Sequence, residues 1–181
     1  MPERKGRLEG KVAIITGAGS SGPGVGNGKA AAVLFAREGA RVLLADSVLE
    51  RAEETLAMIQ QEGGEASVFE GNVVNANDCR SMVNTAMERY GRLDILDNNV
   101  GISRRGTVLE ISEEDWDFVM AVNVKSIVLC SKYAIPKMIA AGNGSIINVS
   151  SINAERAGAV PNTGYAAAKG GVNAMTKNMA V

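Results

Sequence analysis

The sequence predicts an α/β fold, a parallel sheet wound with helices on both faces. Three observations predict it. Short apolar runs alternate with longer helical patterns along nearly the whole chain. The runs are continuously apolar, as strands buried on both faces require. Glycines fall where the helical patterns should stop, at Gly39, Gly63–Gly64 and Gly91.

Taken in order, residues 12–15 read as a first strand, followed by a glycine-rich turn. Residues 30–37 form a helix that Gly39 ends, and 41–45 a second strand. A charged amphipathic helix covers 49–61, and a third strand 66–69. Residues 77–90 form a helix closed by Gly91, and 93–96 a fourth strand. Ser112 precedes three acidic residues and caps the next helix. That helical pattern runs, with a break, to Ala141. Residues 145–149 make a fifth strand, and 165–181 are helical. Strands separated by helices imply parallel pairing. No repeat, low-complexity tract or linker interrupts the pattern, so residues 1–181 are expected to form a single domain.

Composition narrows the chemistry. The chain has 181 residues, enough for a real core. Its formal net charge of -1 marks no nucleic-acid partner. The cluster Arg4, Lys5 and Arg7 reads as a solvated tail. No uninterrupted apolar run is long enough to cross a bilayer, and the first ten residues lack the apolar stretch of a signal peptide. The expected location is the cytoplasm. Cys79 and Cys130 are far apart in the chain and read as buried free thiols. There is no histidine, which removes Ser-His-Asp and Cys-His catalysis and the usual catalytic zinc sites. No metal is expected. Proton transfer near neutral pH must fall to Tyr, Lys, Asp, Glu or Cys.

Residues 16–28 run Thr-Gly-Ala-Gly-Ser-Ser-Gly-Pro-Gly-Val-Gly-Asn-Gly between the first strand and the first helix. Glycines let a backbone approach a pyrophosphate, and the helix start offers free N–H groups and a positive dipole end. Gly17, Gly26, Asn27 and Gly28 are the candidate phosphate contacts. Asp46 lies 18 residues beyond Gly28, at the end of the second strand. A carboxylate there accepts hydrogen bonds from ribose hydroxyls and repels a 2′-phosphate, so NAD is favoured over NADP. The alternative for Asp46 is a simple helix cap.

Tyr165 and Lys169 stand four residues apart and share one helix face. A tyrosine at its ordinary pKa of about 10 is a poor base. A nearby cation favours its phenolate, and such a pair can move a proton to or from a substrate oxygen. The fifth strand ends in Asn148-Val-Ser-Ser151. Ligands bind beyond the carboxyl ends of parallel strands, so Ser150 or Ser151 can reach the same place. Asn123 sits inside an apolar helical stretch, where an amide is unfavourable unless it is used.

Together these segments resemble the short-chain dehydrogenase/reductase family. The glycine loop resembles its TGxxxGxG fingerprint with five extra residues, expected to bulge away from the pyrophosphate. Asn98-Asn-Val-Gly101 is similar to its NNAG segment, Val119-Met-Ala-Val-Asn-Val124 to the segment carrying its catalytic asparagine, and Tyr165-Ala-Ala-Ala-Lys169 to its YxxxK motif. The resemblance runs from Gly10 to Val181. It implies a Rossmann-type sheet of order 3-2-1-4-5 and an NAD-dependent oxidoreductase acting on a secondary alcohol or ketone. It implies that Ser151 holds the substrate oxygen; the spacing from Ser151 to Tyr165 is one residue longer than usual in the family, which keeps Ser150 open, and Ser150 otherwise reads as a turn cap. Tyr165 would exchange the proton, Lys169 would support it and bind ribose, and Asn123 would position a water. Asn72, Val73, Asn99 and Gly101 would line the cofactor, Asn72 standing where the family has an aspartate. Homo-oligomers through the two long helices are expected. So is a longer protein, since the family continues into further strands and a substrate-covering loop. The alternative is a nucleotide-binding chain without turnover.

Overall fold

The computed structural model describes residues 6–181, so Arg4 and Lys5 of the basic cluster lie outside the described residues. Arg7 pairs with Glu38 at 3.0 Å. Five strands form one parallel sheet: β1 (Val12–Thr16), β2 (Arg41–Asp46), β3 (Ala66–Glu70), β4 (Ile95–Asn98) and β5 (Ser145–Asn148). Their order is β3-β2-β1-β4-β5, as the resemblance implied. The helices are α1 (Asn27–Arg37), α2 (Leu49–Gln61), α3 (Ala76–Tyr90), α4 (Glu113–Met120), α5 (Ser126–Ala140) and α6 (Thr163–Met179).

Side chains that alternate along the strands feed two apolar layers. Ala13, Ile15, Val42 and Leu44 pack with Ala32, Val33 and Ile59 of α1 and α2. Ile14, Leu43 and Leu96 pack on the other face with Cys79, Met82, Cys130 and Ala134 of α3 and α5. Burying each such aliphatic side chain contributes about 1.5–3 kcal/mol. β1 and the inner part of β2 are buried throughout. The edge strands are not: β3 is half-buried, and β5 leaves Ile147 39% exposed. Continuous apolar runs therefore meant two covered faces only for the inner strands.

The fourth strand begins two residues later than its apolar pattern suggested. Asp94 precedes it, and its carboxylate accepts the Val12 N–H (2.9 Å) and Arg92 (2.6 and 2.7 Å), pinning the entry beside β1. Those contacts hold the Asp94 carboxyl below its ordinary value despite burial. Two local caps match the sequence: Ser112 accepts the N–H of Asp115, and Gly91 closes α3 at φ 77°. Asn75, which the sequence pattern did not single out, accepts the N–H groups of Asn77 and Asp78 at the start of α3. The expected break in the long helix is a π-helical turn, Ala121–Lys125, between α4 and α5. The run Glu113–Ala140 is long enough to cross a membrane and contains an 18-residue window of mean hydropathy 1.5, which the reading by uninterrupted apolar runs passed over because of Lys125 and Lys132. It packs against α3 and α6.

Candidate active site

The topology places β1 between β2 and β4, so the chain reverses its winding direction at the carboxyl end of β1. Ligand crevices in open parallel sheets form at such a point. A cleft of about 520 Å³ lies there. Gly17, Gly26, Asn27, Gly28, Asp46, Asn72, Val73, Asn99, Gly101, Tyr165 and Lys169 all line it. Residues from both ends of the sequence thus share one wall.

The glycine loop is built for close backbone packing. Gly17 has φ 64°, a left-handed conformation that favours glycine. Gly28 stands where a Cβ would collide with the Gly17 carbonyl oxygen and lie 2.5 Å from Asn99 Nδ2. Replacing Gly28 by Ala should therefore displace the loop and weaken NADH binding by about tenfold or more, read by fluorescence titration. Unchanged affinity would show that the loop does not contact the nucleotide. The inserted residues 21–25 are exposed, but Ser21 also lines the cleft, so the insertion does not lie wholly away from it as expected. Ser20 Oγ accepts the Gly26 N–H at 2.8 Å and ties the base of that bulge.

Asp46 serves its own backbone as well as facing the cleft. Its Oδ2 accepts the Gly19 N–H (3.0 Å) and its Oδ1 the Val48 N–H (3.1 Å). The two readings of this residue, cap and cleft acid, are therefore compatible, since each carboxylate oxygen has a second lone pair. Asn72 Oδ1 accepts the Val74 N–H at 3.1 Å and holds the turn that carries Val73.

Asn99 braces the loop. Its Nδ2 donates to the carbonyls of Thr16 (3.0 Å) and Gly17 (3.1 Å). Thr16 Oγ1 donates to the Asp97 carbonyl (3.1 Å) and accepts the Asn99 N–H (3.1 Å). Asn123 is fully buried in the π-helical turn, and its amide is used on both sides. Nδ2 donates to the carbonyls of Ile102 and Val119, both at 2.8 Å, and Oδ1 accepts the Ile102 N–H at 3.3 Å. It clamps the segment after β4 against the helix and sits behind the cleft wall. Gly101 must be small there: a Cβ would lie 3.0 Å from Asn123 Oδ1 and 3.2 Å from Lys169 Nζ.

Lys169 is 2% exposed, and its Nζ donates to the Val149 carbonyl at 2.7 Å. Burial lowers its pKa. Nζ also stands 5.6 Å from the centre of the Tyr165 ring. The two serines differ from the reading that made Ser150 the turn cap. Ser151 Oγ accepts the Asn153 N–H at 3.2 Å and caps the short 3-10 turn Ile152–Ala154. Ser150 lines the cleft and donates to the Lys169 carbonyl at 3.2 Å. Pattern reasoning also missed the Val149 carbonyl, whose role has no side-chain signal, and Asp97, treated below.

Residues 11–181 match the short chain dehydrogenase family, and the chain belongs to it. It is 45% identical over 174 residues to an uncharacterized oxidoreductase of Thermotoga maritima, covering 96% of this chain and 66% of that protein. The crystal structure of a protein described as a short-chain dehydrogenase/reductase from Burkholderia xenovorans superposes with a TM-score of 0.94 at 38% identity, over 96% of this chain and 69% of that one. A 7α-hydroxysteroid dehydrogenase solved with NADH and 7-oxo glycochenodeoxycholic acid superposes with a TM-score of 0.89 at 32% identity, over 96% and 66% of the two chains. Against the first two curated relatives the chain spans 66% and 62% of their length.

Proposed function

We propose that this chain carries the nucleotide-binding and proton-transfer parts of an NAD-dependent oxidoreductase acting on a secondary alcohol or its ketone. One observation carries the reading: Tyr165, Lys169, Asp46 and the glycine loop line a single cleft. The cradle suits a dinucleotide. A Cβ would fill it at Gly28, the start of α1 faces it, and a carboxylate closes its far end. When bound, NAD supplies hydride transfer at the substrate carbon. Every other task falls to the chain. The N–H groups at the start of α1 hold the pyrophosphate at Gly26, Asn27 and Gly28, and Gly17 lets the backbone come close. Asp46 accepts ribose hydroxyls and disfavours a 2′-phosphate. Val73 and Asn72 flank the adenine, and Asn99 and Gly101 line the nicotinamide half. Ser151 holds the substrate oxygen, Tyr165 exchanges its proton, and Lys169 steadies the phenolate and binds ribose. Asn123 positions a water in the proton relay. Ser150 stands as the alternative oxygen-holding serine because its hydroxyl lines the cleft.

The test of the cofactor assignment is a titration with NADH and NADPH. Asp46→Ala should weaken NADH binding about 10- to 100-fold, the worth of hydrogen bonds to a charged group, and affect NADPH much less. No measurable NADH binding by the unaltered chain would sink the reading.

A further inference from the structure

Two cysteines that are 51 positions apart in the chain meet inside the fold. Cys79 lies in the first turns of α3 and Cys130 in α5, and these helices pack on each other. Both thiols are 1% exposed. The Cys130 S–H donates to Cys79 Sγ at 3.7 Å, and the Cys79 S–H donates to the Val73 carbonyl at 3.2 Å. Val73 lines the nucleotide cleft. The pair is thus a thiol contact one hydrogen bond away from that wall.

We propose that Cys79 and Cys130 are a redox modification site, which a peroxide converts to an intramolecular disulfide that alters the cleft at Val73. The sulfurs already point at each other. A bond of about 2.05 Å lies within reach of the 3.7 Å contact between these packed helices. The Cys79 thiol is pulled below its ordinary value, chiefly by the S–H it receives from Cys130, with desolvation opposing. The same contact and its burial push Cys130 up. Cys79 is therefore the sulfur that reacts first. Its thiolate attacks hydrogen peroxide, the O–O bond breaks, and a sulfenic acid forms with release of hydroxide. Cys130 then displaces that oxygen as water once it has given up its proton to the hydroxide. In total two thiols lose two electrons and two protons, and one peroxide becomes two waters. The product has no S–H on Cys79, so the bond to the Val73 carbonyl is lost. Burial makes the reaction wait for local opening of α3, and a thiol reductant reverses it.

The effect on the nucleotide rests on the proposed function above, whereas the disulfide itself does not. The 181-residue chain, reduced or treated with hydrogen peroxide, is analysed by intact mass and by alkylation after unfolding. The treated protein should be about 2 Da lighter, monomeric, and closed to alkylation until dithiothreitol is added. Its NADH affinity should fall about fivefold, the worth of one hydrogen bond, and recover on reduction. Cys130→Ala, checked for folding by circular dichroism, should show neither the mass loss nor a reversible affinity change. Both thiols remaining alkylatable after treatment, or oxidation of Cys79 no further than a sulfinic acid, overturns the site. A disulfide that leaves NADH affinity unchanged overturns its link to the cleft. If the reduced chain binds no NADH, the proposed function fails, while the mass and alkylation results still decide the disulfide.

Discussion

Tyr165→Phe should lower turnover of a secondary alcohol by about 100-fold or more while leaving NADH affinity within about twofold. The substitution removes one oxygen and keeps the ring that packs at the start of α6. Positioned acid–base groups contribute about 10²–10⁴ to rate, and without histidine the chain has few other groups to take over. The geometry favours Tyr165 for the task. It lines the cleft, and the buried ammonium of Lys169, fixed on the Val149 carbonyl, stands 5.6 Å from its ring. The measurement is kcat for alcohol oxidation beside a binding titration of the same variant, in a chain that turns over before substitution. An unaltered rate would assign proton transfer elsewhere. Loss of NADH binding in equal measure would make Tyr165 a binding residue only.

Asp97→Val should stabilise the fold by about 2–3 kcal/mol at pH 7.5. Asp97 lies on β4, paired with Ile15 of β1 and Ile147 of β5, and is 4% exposed. Its Oδ1 has no hydrogen-bond partner, and Thr16 reaches only its backbone carbonyl. Desolvation pushes the carboxyl from its ordinary 3.8 up to about 6. The sign follows from proton binding. Between these two values the unfolded chain loses the proton while the folded chain keeps it, so stability falls as pH rises from about 4 to about 6. Above that the loss is complete, about 3 kcal/mol for a difference of this size. Valine is at home in a buried strand and removes the penalty. The melting temperature should rise by about 5–10 °C at pH 7.5, and much less at about pH 3, where the carboxyl is largely protonated in both the folded and the unfolded parent. A lower melting temperature, or a gain of equal size at both pH values, would mean that Asp97 has a partner that burial alone does not show.

The legibility of this fold was uneven for physical reasons. Strand existence came from apolar runs, and helix ends came from Gly91 and Ser112, whose effects act within a turn of their own position. The start of β4 was misplaced because Leu93 is as buried as any strand residue, although the ladder begins beyond Asp94. Hydrogen bonds define a strand, and apolar pattern records only burial. Asn123 was legible because a fully buried amide in an apolar helix demands partners, though not that those partners are Ile102 and Val119. The serines were not separable by pattern. Adjacent residues at a strand end point in different directions, and the direction of each depends on the turn that follows.

The sequence by itself determined the alternation of strand and helix, the glycine loop before α1, the carboxylate at the end of β2 and the Tyr165–Lys169 pair. All of these depend on residue type at short spacing, which local backbone physics reads directly. Only the tertiary structure decided that Ser150 faces the cleft while Ser151 caps a turn, and that the Val149 carbonyl holds Lys169. It alone left Asp97 without a partner on its free oxygen and brought Cys79 and Cys130 together. Those contacts join residues far apart in the chain, and the packing of whole layers sets them.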